Sequence, residues 1–304
     1  MATAPAVRTP LPSWLRIKAP SGENYSRIKT LLGEHGLNTV CEEARCPNIA
    51  ECWGGGTATF MVMGDTCTRG CRFCSVASAV HPEPLNPEEP RRLSESLAAL
   101  SLTYAVITTV CRDDLPDQGA GHIARCIREV KGKTPALLLE VLIGDFRGDA
   151  GCLKVVCEAG ADVISHNIET VKRLTPSIRD KKAGYEQSLA VLRQIKTFNS
   201  RTTTKSALML GLGETEEELE ESFLDLRAAG VEVLTIGQYL RPSSAGRHIQ
   251  VEEFVHPARF EKLEKKAQEM GFLYVASGPF VRSSYRAGEL FLEGKLKKVL
   301  SFEL

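Results

Sequence analysis

The residues with the clearest chemical potential in this 304-residue chain are its cysteines, because six of the ten fall between positions 41 and 74. The first triplet reads C-x4-C-x5-C and comprises Cys41, Cys46 and Cys52. The second triplet reads C-x3-C-x2-C and comprises Cys67, Cys71 and Cys74. Ten cysteines are too few for a disulfide-stapled scaffold, and clustered cysteines in a reducing compartment are more often metal ligands or catalysts. The two triplets therefore predict metal or cluster chemistry.

Two kinds of metal site compete for these triplets. A structural zinc site usually takes four nitrogen or sulfur ligands arranged as two pairs, and neither triplet offers two pairs. A [4Fe–4S] cluster has four irons, each of which takes one terminal ligand. Three cysteines leave one iron open for a ligand of another kind. The spacing favours iron–sulfur clusters over zinc.

The other four cysteines need no metal. Cys126 and Cys157 follow apolar residues at helical spacing and are expected to pack in the core as small hydrophobes. Cys152 is uninformative. Cys111 directly follows a β-rich run, so a role at a site and simple packing are both open for it.

Short β-rich runs alternate with amphipathic helices after residue 56. Six runs are predicted to be strands: 57–63, 104–109, 136–142, 163–166, 203–210 and 233–240. One helix is expected to begin at a capping box formed by Thr215 and Glu218 and to end at Gly230. A last helix is predicted over 258–270, and the segment after Phe272 is expected to add a short strand.

This alternation predicts an α/β fold with right-handed parallel crossovers, either a doubly wound sheet or a barrel. No G-x-G-x-x-G follows the first strand and no P-loop occurs, so a partial (β/α)6 TIM-type barrel is favoured. We expect three parts: an N-terminal extension (1–56) with the first triplet, the barrel (57–245) and a C-terminal extension (246–304) that closes the site. The second triplet then lies in the first βα loop, on the face where barrel enzymes collect their chemistry.

Charge and hydropathy exclude several other classes. The 38 basic residues balance 38 acidic ones, which is unlike a dedicated nucleic-acid binder. No apolar run approaches the roughly 20 residues of a membrane span, and the N-terminus lacks a signal-peptide core. We therefore expect no nucleic-acid or membrane partner and a cytoplasmic location, while an organellar transit peptide stays open.

The second triplet, with Phe73 before its last cysteine, resembles the radical S-adenosylmethionine (SAM) superfamily. The resemblance implies that Cys67, Cys71 and Cys74 hold a [4Fe–4S] cluster whose open iron chelates SAM. An electron entering the sulfonium would release a 5′-deoxyadenosyl radical able to abstract hydrogen from an unactivated C–H bond.

Further cofactor contacts are carried over from the superfamily by location at the strand ends. The expected cofactor-binding residues are Thr108, Thr109, Asn167, Glu169, Lys205, Gly211, Leu240 and Arg241. The amino-group contact is expected at Thr108 and Thr109, and the ribose contact at Asn167 and Glu169. For each polar residue, a helix cap or a surface ion pair is the alternative.

The first triplet narrows the resemblance further. CEEARCPNIAECW, together with RSSYRAGE near the C-terminus, is similar to the lipoyl synthase family, and PSWLR, SHNIET, LMLGLGET and QYLRPS occur in the family's order. The resemblance implies a second, auxiliary [4Fe–4S] cluster. Its implied ligands are Cys41, Cys46, Cys52 and Ser283, with Ser284 as the alternative to Ser283. Arg282 and Arg286 flank the serine and are expected to organise the site, unless they form surface pairs.

The family's reaction inserts two sulfur atoms, at C6 and C8, into an octanoyl chain bound to a lysine of a lipoyl carrier domain. Two SAM molecules are used, and the auxiliary cluster is consumed as the sulfur source. Implied partners are the carrier domains of 2-oxoacid dehydrogenase complexes or the glycine cleavage H protein, a ferredoxin or flavodoxin donor, and an iron–sulfur carrier. The sequence departs from the family at Cys111, often acidic, and at Ser75, often Asp or Asn.

Other functions compete with this one. A biotin synthase-like enzyme would lack the C-x4-C-x5-C extension, and a methylthiotransferase-like one would carry an added RNA-binding domain. A non-catalytic iron–sulfur carrier would need neither six βα units nor polar residues at the strand ends.

Overall fold

A central eight-stranded sheet organises the protein, whose computed structural model describes residues 11–15, 26, 29–30, 38–39, 46, 48–49, 52, 59–100, 102, 104–243 and 246–284. The strands are β1 (Asn38–Thr39), β2 (Thr59–Val62), β3 (Thr66–Cys67), β4 (Ala77–Ser78), β5 (Tyr104–Thr109), β6 (Leu138–Leu142), β7 (Val163–Ser165), β8 (Thr203–Leu210), β9 (Val233–Gln238) and β10 (Tyr274–Gly278). The helices are α1 (Glu89–Leu100), α2 (Ala120–Lys133), α3 (Ala150–Cys157), α4 (Thr175–Ile178), α5 (Tyr185–Phe198), α6 (Glu216–Ala228) and α7 (Pro257–Glu269). Short 3-10 turns lie at Ser13–Leu15 and Phe146–Gly148.

The sheet order is β1-β2-β5-β6-β7-β8-β9-β10, and β3 pairs with β4 in a separate small sheet. Every pairing from β2 to β10 is parallel, whereas β1 joins β2 in the antiparallel direction. Among the described strands, β10 pairs only with β9, so the barrel stays open along one side. The six predicted strands are β2 and β5 to β9, and β10 is the added strand predicted after Phe272. The partial barrel is confirmed.

Four strands have boundaries that differ from those predicted. β2 ends at Val62, one residue early, where Met63 has a φ of 70°. β6 begins at Leu138 because the amide of Leu137 is bonded in a turn to the carbonyl of Thr134 (3.0 Å). β7 ends at Ser165, one residue early. β9 ends at Gln238, whose side-chain amide donates to the carbonyls of Tyr239 (3.0 Å) and Glu253 (2.9 Å).

Alternation along β5 shows how the barrel separates its two faces. Ala105 and Ile107 belong to the large core between strands and helices, while Tyr104, Val106 and Val163 form a smaller cluster on the opposite, inner face. This is the period of two expected for a strand buried on both sides. Helices α1 and α2 cover the outer face, and Cys126 and Cys157 are fully buried there, as predicted.

Helix boundaries agree well with the sequence signals. Thr215 and Glu218 form the predicted capping box, and Gly230 follows the end of α6 at a φ of 81° that favours glycine. Helix α7 begins and ends one residue before the predicted positions. Within the described part of the chain, no helix combines the length and hydropathy that membrane crossing requires.

An ion pair lies inside the barrel. Lys205 Nζ is 2.8 Å from a carboxylate oxygen of Glu140, and both side chains are at most 2% exposed. The hydroxyls of Tyr104 and Ser165 also donate to this carboxylate. Lys205 was expected to contact the cofactor; in this structure its ammonium neutralises Glu140, and the cofactor contact stays a prediction. The physical reason is that an unpaired buried carboxylate would be strongly destabilising.

Replacing Lys205 tests this structural role. Lys205→Met leaves Glu140 buried without a cation, so we expect the free energy of unfolding to fall by about 3–5 kcal/mol. Chemical denaturation of the apo-protein measures the change. Lys172→Met, which breaks an exposed pair with Glu186, is the control and should leave stability unchanged. Wild-type stability of Lys205→Met combined with lost SAM binding would restore the cofactor role.

Candidate active site

The second cysteine triplet lies on the loop that leaves β2. Cys67, Cys71 and Cys74 are free thiols and are half-buried. Backbone amides point at two of the sulfurs: those of Arg69 and Cys111 lie 3.4 and 3.3 Å from Cys67 Sγ, and that of Asp180 lies 3.3 Å from Cys71 Sγ. Amide donors at sulfur are a common feature of protein iron–sulfur sites. The loop is thus built to hold thiolates.

The three thiols differ in acidity. Burial raises the pKa of Cys74 to about 12 and also raises the pKa of Cys71. A hydrogen bond from the Cys111 side chain lowers the pKa of Cys67 to about 6. The same hydrogen bond raises the pKa of Cys111, which contacts the triplet in addition to packing. Because metals bind thiolates, loading this site must release protons from Cys71 and Cys74.

Asn167 and Glu169 lie together after β7. Asn167 Nδ2 donates to Glu169 Oε1 at 3.1 Å, whereas Asn167 Oδ1 is buried and has no partner among the described residues. Glu169 has a φ of 67°, and strand-like hydrogen bonds to Ala207 and Met209 fix its backbone there. Burial raises the pKa of Glu169. An unpartnered buried acceptor beside a carboxyl group fits a ligand that brings hydroxyl donors, such as a ribose.

The other predicted cofactor residues lie at the same ends of the strands. Gly211 has a φ of 89°, and a Cβ there would lie 2.3 Å from both the side-chain amide of Gln238 and the carbonyl of Glu253. Thr108 is buried, and Thr109 Oγ1 donates to the carbonyl of Leu142 at 3.4 Å. Their contacts with a cofactor stay predictions.

Leu240 and Arg241 follow β9, where Arg241 Nε donates to the carbonyl of His248 at 3.1 Å. The segment 246–251 then covers the cysteine loop: His248 Nε2 lies 3.0 Å from the carbonyl of Cys74, and the amide of Ile249 donates to Arg72 at 3.1 Å. The extension from residue 246 is expected from the sequence to close the site, but the sequence does not identify these contacts, because an irregular segment has no periodicity to signal them.

Part of the first triplet lies against the C-terminal segment. Asn48 Nδ2 donates to the carbonyl of Phe280 at 2.6 Å, and its own carbonyl accepts from Cys52 at 2.9 Å. Burial raises the pKa of Cys46, an effect partly offset by the amide of Asn48 and the positive charge of Arg282. The structure therefore brings Cys46 into the field of Arg282. Cys41 and Arg286 lie outside the described residues.

The C-terminal segment that carries the predicted serine ligand packs directly on β9. A Cβ at Gly237 would lie 2.0 Å from the carbonyl of Val281, so only glycine permits this approach. Arg282 Nη1 donates to the same carbonyl at 2.7 Å. Ser283 and Ser284 follow and are half-buried. Asn48, in the first triplet's loop, and residues 280–284 thus lie together against the barrel.

The Asn48 hydrogen bond gives a direct test of this junction. Asn48→Leu removes the donor to Phe280, so we expect loss of iron bound by the first triplet while iron at the second triplet is retained. Iron and sulfide analysis after anaerobic reconstitution measures the change, which is about half of the wild-type content if each triplet binds one cluster. Asn86→Leu, at an exposed turn, is the control. Full iron content in Asn48→Leu would contradict the prediction.

Comparison with known proteins supports one family. A model of the radical SAM superfamily matches residues 61–226, and a model of the N-terminal domain of lipoyl synthase matches residues 3–46. A lipoyl synthase of Anaeromyxobacter sp. (strain Fw109-5) is 58% identical over 285 residues, covering 94% of this chain and 96% of that protein. A mitochondrial lipoyl synthase of Aedes aegypti is 56% identical over 295 residues, covering 95% and 75%.

Solved structures agree at the level of the fold. The FeFe-hydrogenase maturase HydG from Carboxydothermus hydrogenoformans matches with a TM-score of 0.57 at 10% identity, over 83% of this chain and 64% of that one. Streptococcus suis SuiB bound to precursor peptide SuiA matches with a TM-score of 0.55 at 9% identity, over 83% and 52%. Such low identities support the partial barrel alone. The relatives that match along nearly the whole sequence show that the chain belongs to the lipoyl synthase family of radical SAM enzymes.

Proposed function

We propose that this protein is a lipoyl synthase that inserts sulfur at C6 and C8 of an octanoyl-lysine on a lipoyl carrier protein. The observation that supports the proposal is that one barrel carries both the second triplet and the described part of the first, Cys46 and Cys52. The second triplet occupies the loop after β2, and the first is joined to the C-terminal segment by the hydrogen bond from Asn48 to Phe280. We propose that an acyl chain entering at this face lies near both triplets.

The second triplet suits a [4Fe–4S] cluster that binds SAM. When bound, this pair supplies the 5′-deoxyadenosyl radical that abstracts hydrogen from unactivated carbon. Cys67, Cys71 and Cys74 would be the ligands, and the amides of Cys111 and Asp180 stabilise charge on their sulfurs. The donor set fits because three thiols share one loop and a fourth cysteine, Cys111, donates to Cys67.

The cofactor's sugar would lie at Asn167 and Glu169. Asn167 Oδ1 has no partner within the described residues and can accept a hydrogen bond from a ribose hydroxyl. Glu169 can accept a second one, provided that it is ionised. Thr108, Thr109, Gly211, Leu240 and Arg241 line the neighbouring strand ends and remain our candidates for its other contacts.

The sulfur donor would be held by the first triplet together with Ser283, or with Ser284 as the alternative. An alkoxide is a harder ligand than a thiolate and a poorer match to iron in a sulfur cage, so it is released more readily. Arg282 lies close enough to influence Cys46, and we assign it an electrostatic role in holding this anionic reactant. Arg286 is proposed to assist it.

The finer partners are also proposals. We propose carrier domains of 2-oxoacid dehydrogenase complexes or the glycine cleavage H protein as substrates, a ferredoxin or flavodoxin as reductant, and an iron–sulfur carrier to rebuild the spent cluster. The division into 1–56, 57–245 and 246–304 stays a prediction. So does the cytoplasmic location, since several relatives are named mitochondrial.

The activity itself can be tested with a single assay. Anaerobically reconstituted protein is given reductant, SAM and an octanoylated lysine peptide, and the products are analysed by mass spectrometry. We expect a peptide that has gained two sulfur atoms as a dithiol, with no net change in hydrogen, together with 5′-deoxyadenosine. Formation of 5′-deoxyadenosine without any sulfur in the peptide would contradict lipoyl synthesis, and its absence would indicate a non-catalytic iron–sulfur carrier.

The serine assignment predicts a selective defect. Ser283→Ala removes the proposed alkoxide ligand but leaves every cysteine in place. We therefore expect normal 5′-deoxyadenosine formation without completed sulfur insertion, measured in the same assay. Ser284→Ala is the matched control and should remain active. Full sulfur insertion by Ser283→Ala would refute the role, and loss confined to Ser284→Ala would transfer it to the neighbouring residue.

A further inference from the structure

Arg69 is a buried charge in the middle of the second triplet, two residues after Cys67 and two before Cys71. Its side chain is only 4% exposed. Nε and Nη2 donate to the two oxygens of Asp113 at 3.0 and 2.9 Å. Nη1 and Nη2 donate to the two oxygens of Asp145, both at 2.7 Å. One guanidinium therefore forms two bidentate pairs at once, an arrangement that a lysine ammonium cannot reproduce.

The two carboxylates come from different parts of the barrel. Asp113 lies in the loop after β5, and Asp145 lies in the loop after β6; their side chains are 3% and 0% exposed. Burial alone would raise the pKa of both aspartates, but the hydrogen bonds from Arg69 outweigh it and keep both pKa values below normal. Lys182 Nζ, 3.2 Å from Asp113, brings a second positive charge. The four side chains carry two positive and two negative charges, so the cluster has no net charge.

The residues on either side of Arg69 are fixed in the same manner. The amide of Thr68 donates to the carbonyl of Cys111 at 2.9 Å, and the amide of Gly70 donates to Asp180 Oδ2 at 2.8 Å. Three consecutive residues between two cysteines are thus attached to the loop after β5, the loop after β6 and the turn after α4. The same hydrogen bonds also fix the positions of these three neighbouring segments.

The held loops carry the amides that reach the ligand sulfurs. Asp113 lies two residues after Cys111, whose amide donates to Cys67 Sγ, and Asp180 both accepts from Gly70 and donates to Cys71 Sγ. Hydrogen bonds to cluster sulfurs are one of the factors that set the reduction potential of an iron–sulfur centre. The position of the loop after β5 therefore matters for electron transfer as well as for stability.

We propose that Arg69 is a positioning residue, which through Asp113 and Asp145 keeps the cysteine loop and its amide donors in the geometry that sets the cluster's potential and its response to SAM. This inference rests on the proposed function, because it assigns a [4Fe–4S] cluster to the second triplet. A merely structural brace would affect stability but neither of those two properties.

The test uses full-length protein in which the first triplet is changed to alanine, so that the second triplet alone gives the spectroscopic signal. Arg69→Lys keeps the charge and removes the planar fork. We expect iron content close to that of the parent, a reduction potential shifted to more negative values because amide donors withdraw from sulfur, and a smaller SAM-induced change in the electron paramagnetic resonance spectrum. We also expect a several-fold loss of 5′-deoxyadenosine formation.

Two further variants make the result decisive. Asp113→Glu also conserves charge but moves the carboxylate by one methylene group, so it should shift the potential in the same direction even if Arg69→Lys fails to fold. Arg91→Lys breaks an exposed bidentate contact with Glu95 on α1 and should change neither property.

The outcomes separate the two proposals. A parent that binds no [4Fe–4S] cluster would overturn the proposed function. A normal parent, with variants that match its potential and its SAM response but melt at a lower temperature, would overturn the role of Arg69 alone.

Discussion

Eight residues, from Cys67 to Cys74, must hold three sulfurs close together although only the first of them belongs to a strand. A loop of this kind cannot rely on its own backbone hydrogen bonds, so its polar groups must find partners in neighbouring segments. Here they find them at the carboxyl ends of the strands: Cys111 after β5, Asp145 after β6 and Asp180 after α4. The parallel barrel places these segments side by side, so the conformation of the cysteine loop depends on the fold of the barrel.

Most of the scaffold could be predicted from the sequence because its signals are local. Strand positions follow from apolar runs, the start of α6 follows from Thr215 and Glu218, and the second triplet lies in the first βα loop by simple counting. The pairs that complete the site were not predictable in this way. Arg69 and Asp145 are 76 residues apart, and nothing in either sequence neighbourhood distinguishes them from surface charges. Only the side-by-side arrangement of β2, β5 and β6 in the sheet brings them together.

Lys205 is a second charged residue whose partner could not be predicted from the sequence. A lysine on a strand that leads to the site could equally serve a ligand or the interior, and the sequence does not distinguish these possibilities. Its side chain points to the inner face, where the carboxylate of Glu140 already accepts hydrogen bonds from Ser165 and Tyr104. Two hydroxyl donors reduce the charge density of a carboxylate but do not neutralise it. Lys205 is therefore needed to neutralise the buried carboxylate of Glu140 in the folded protein.

The segment 280–284, which Asn48 contacts, lies against the barrel because of one small residue on β9. Gly237 lets the backbone at Val281 approach so closely that any side chain would collide with it. That approach fixes Arg282, and the hydrogen bond from Asn48 to Phe280 then fixes the first triplet to the same segment. The proposed serine ligand, which would have to be released during the reaction, gains from this arrangement. Since the segment is already anchored by its backbone, the serine side chains at its end can move without detaching the segment from the barrel.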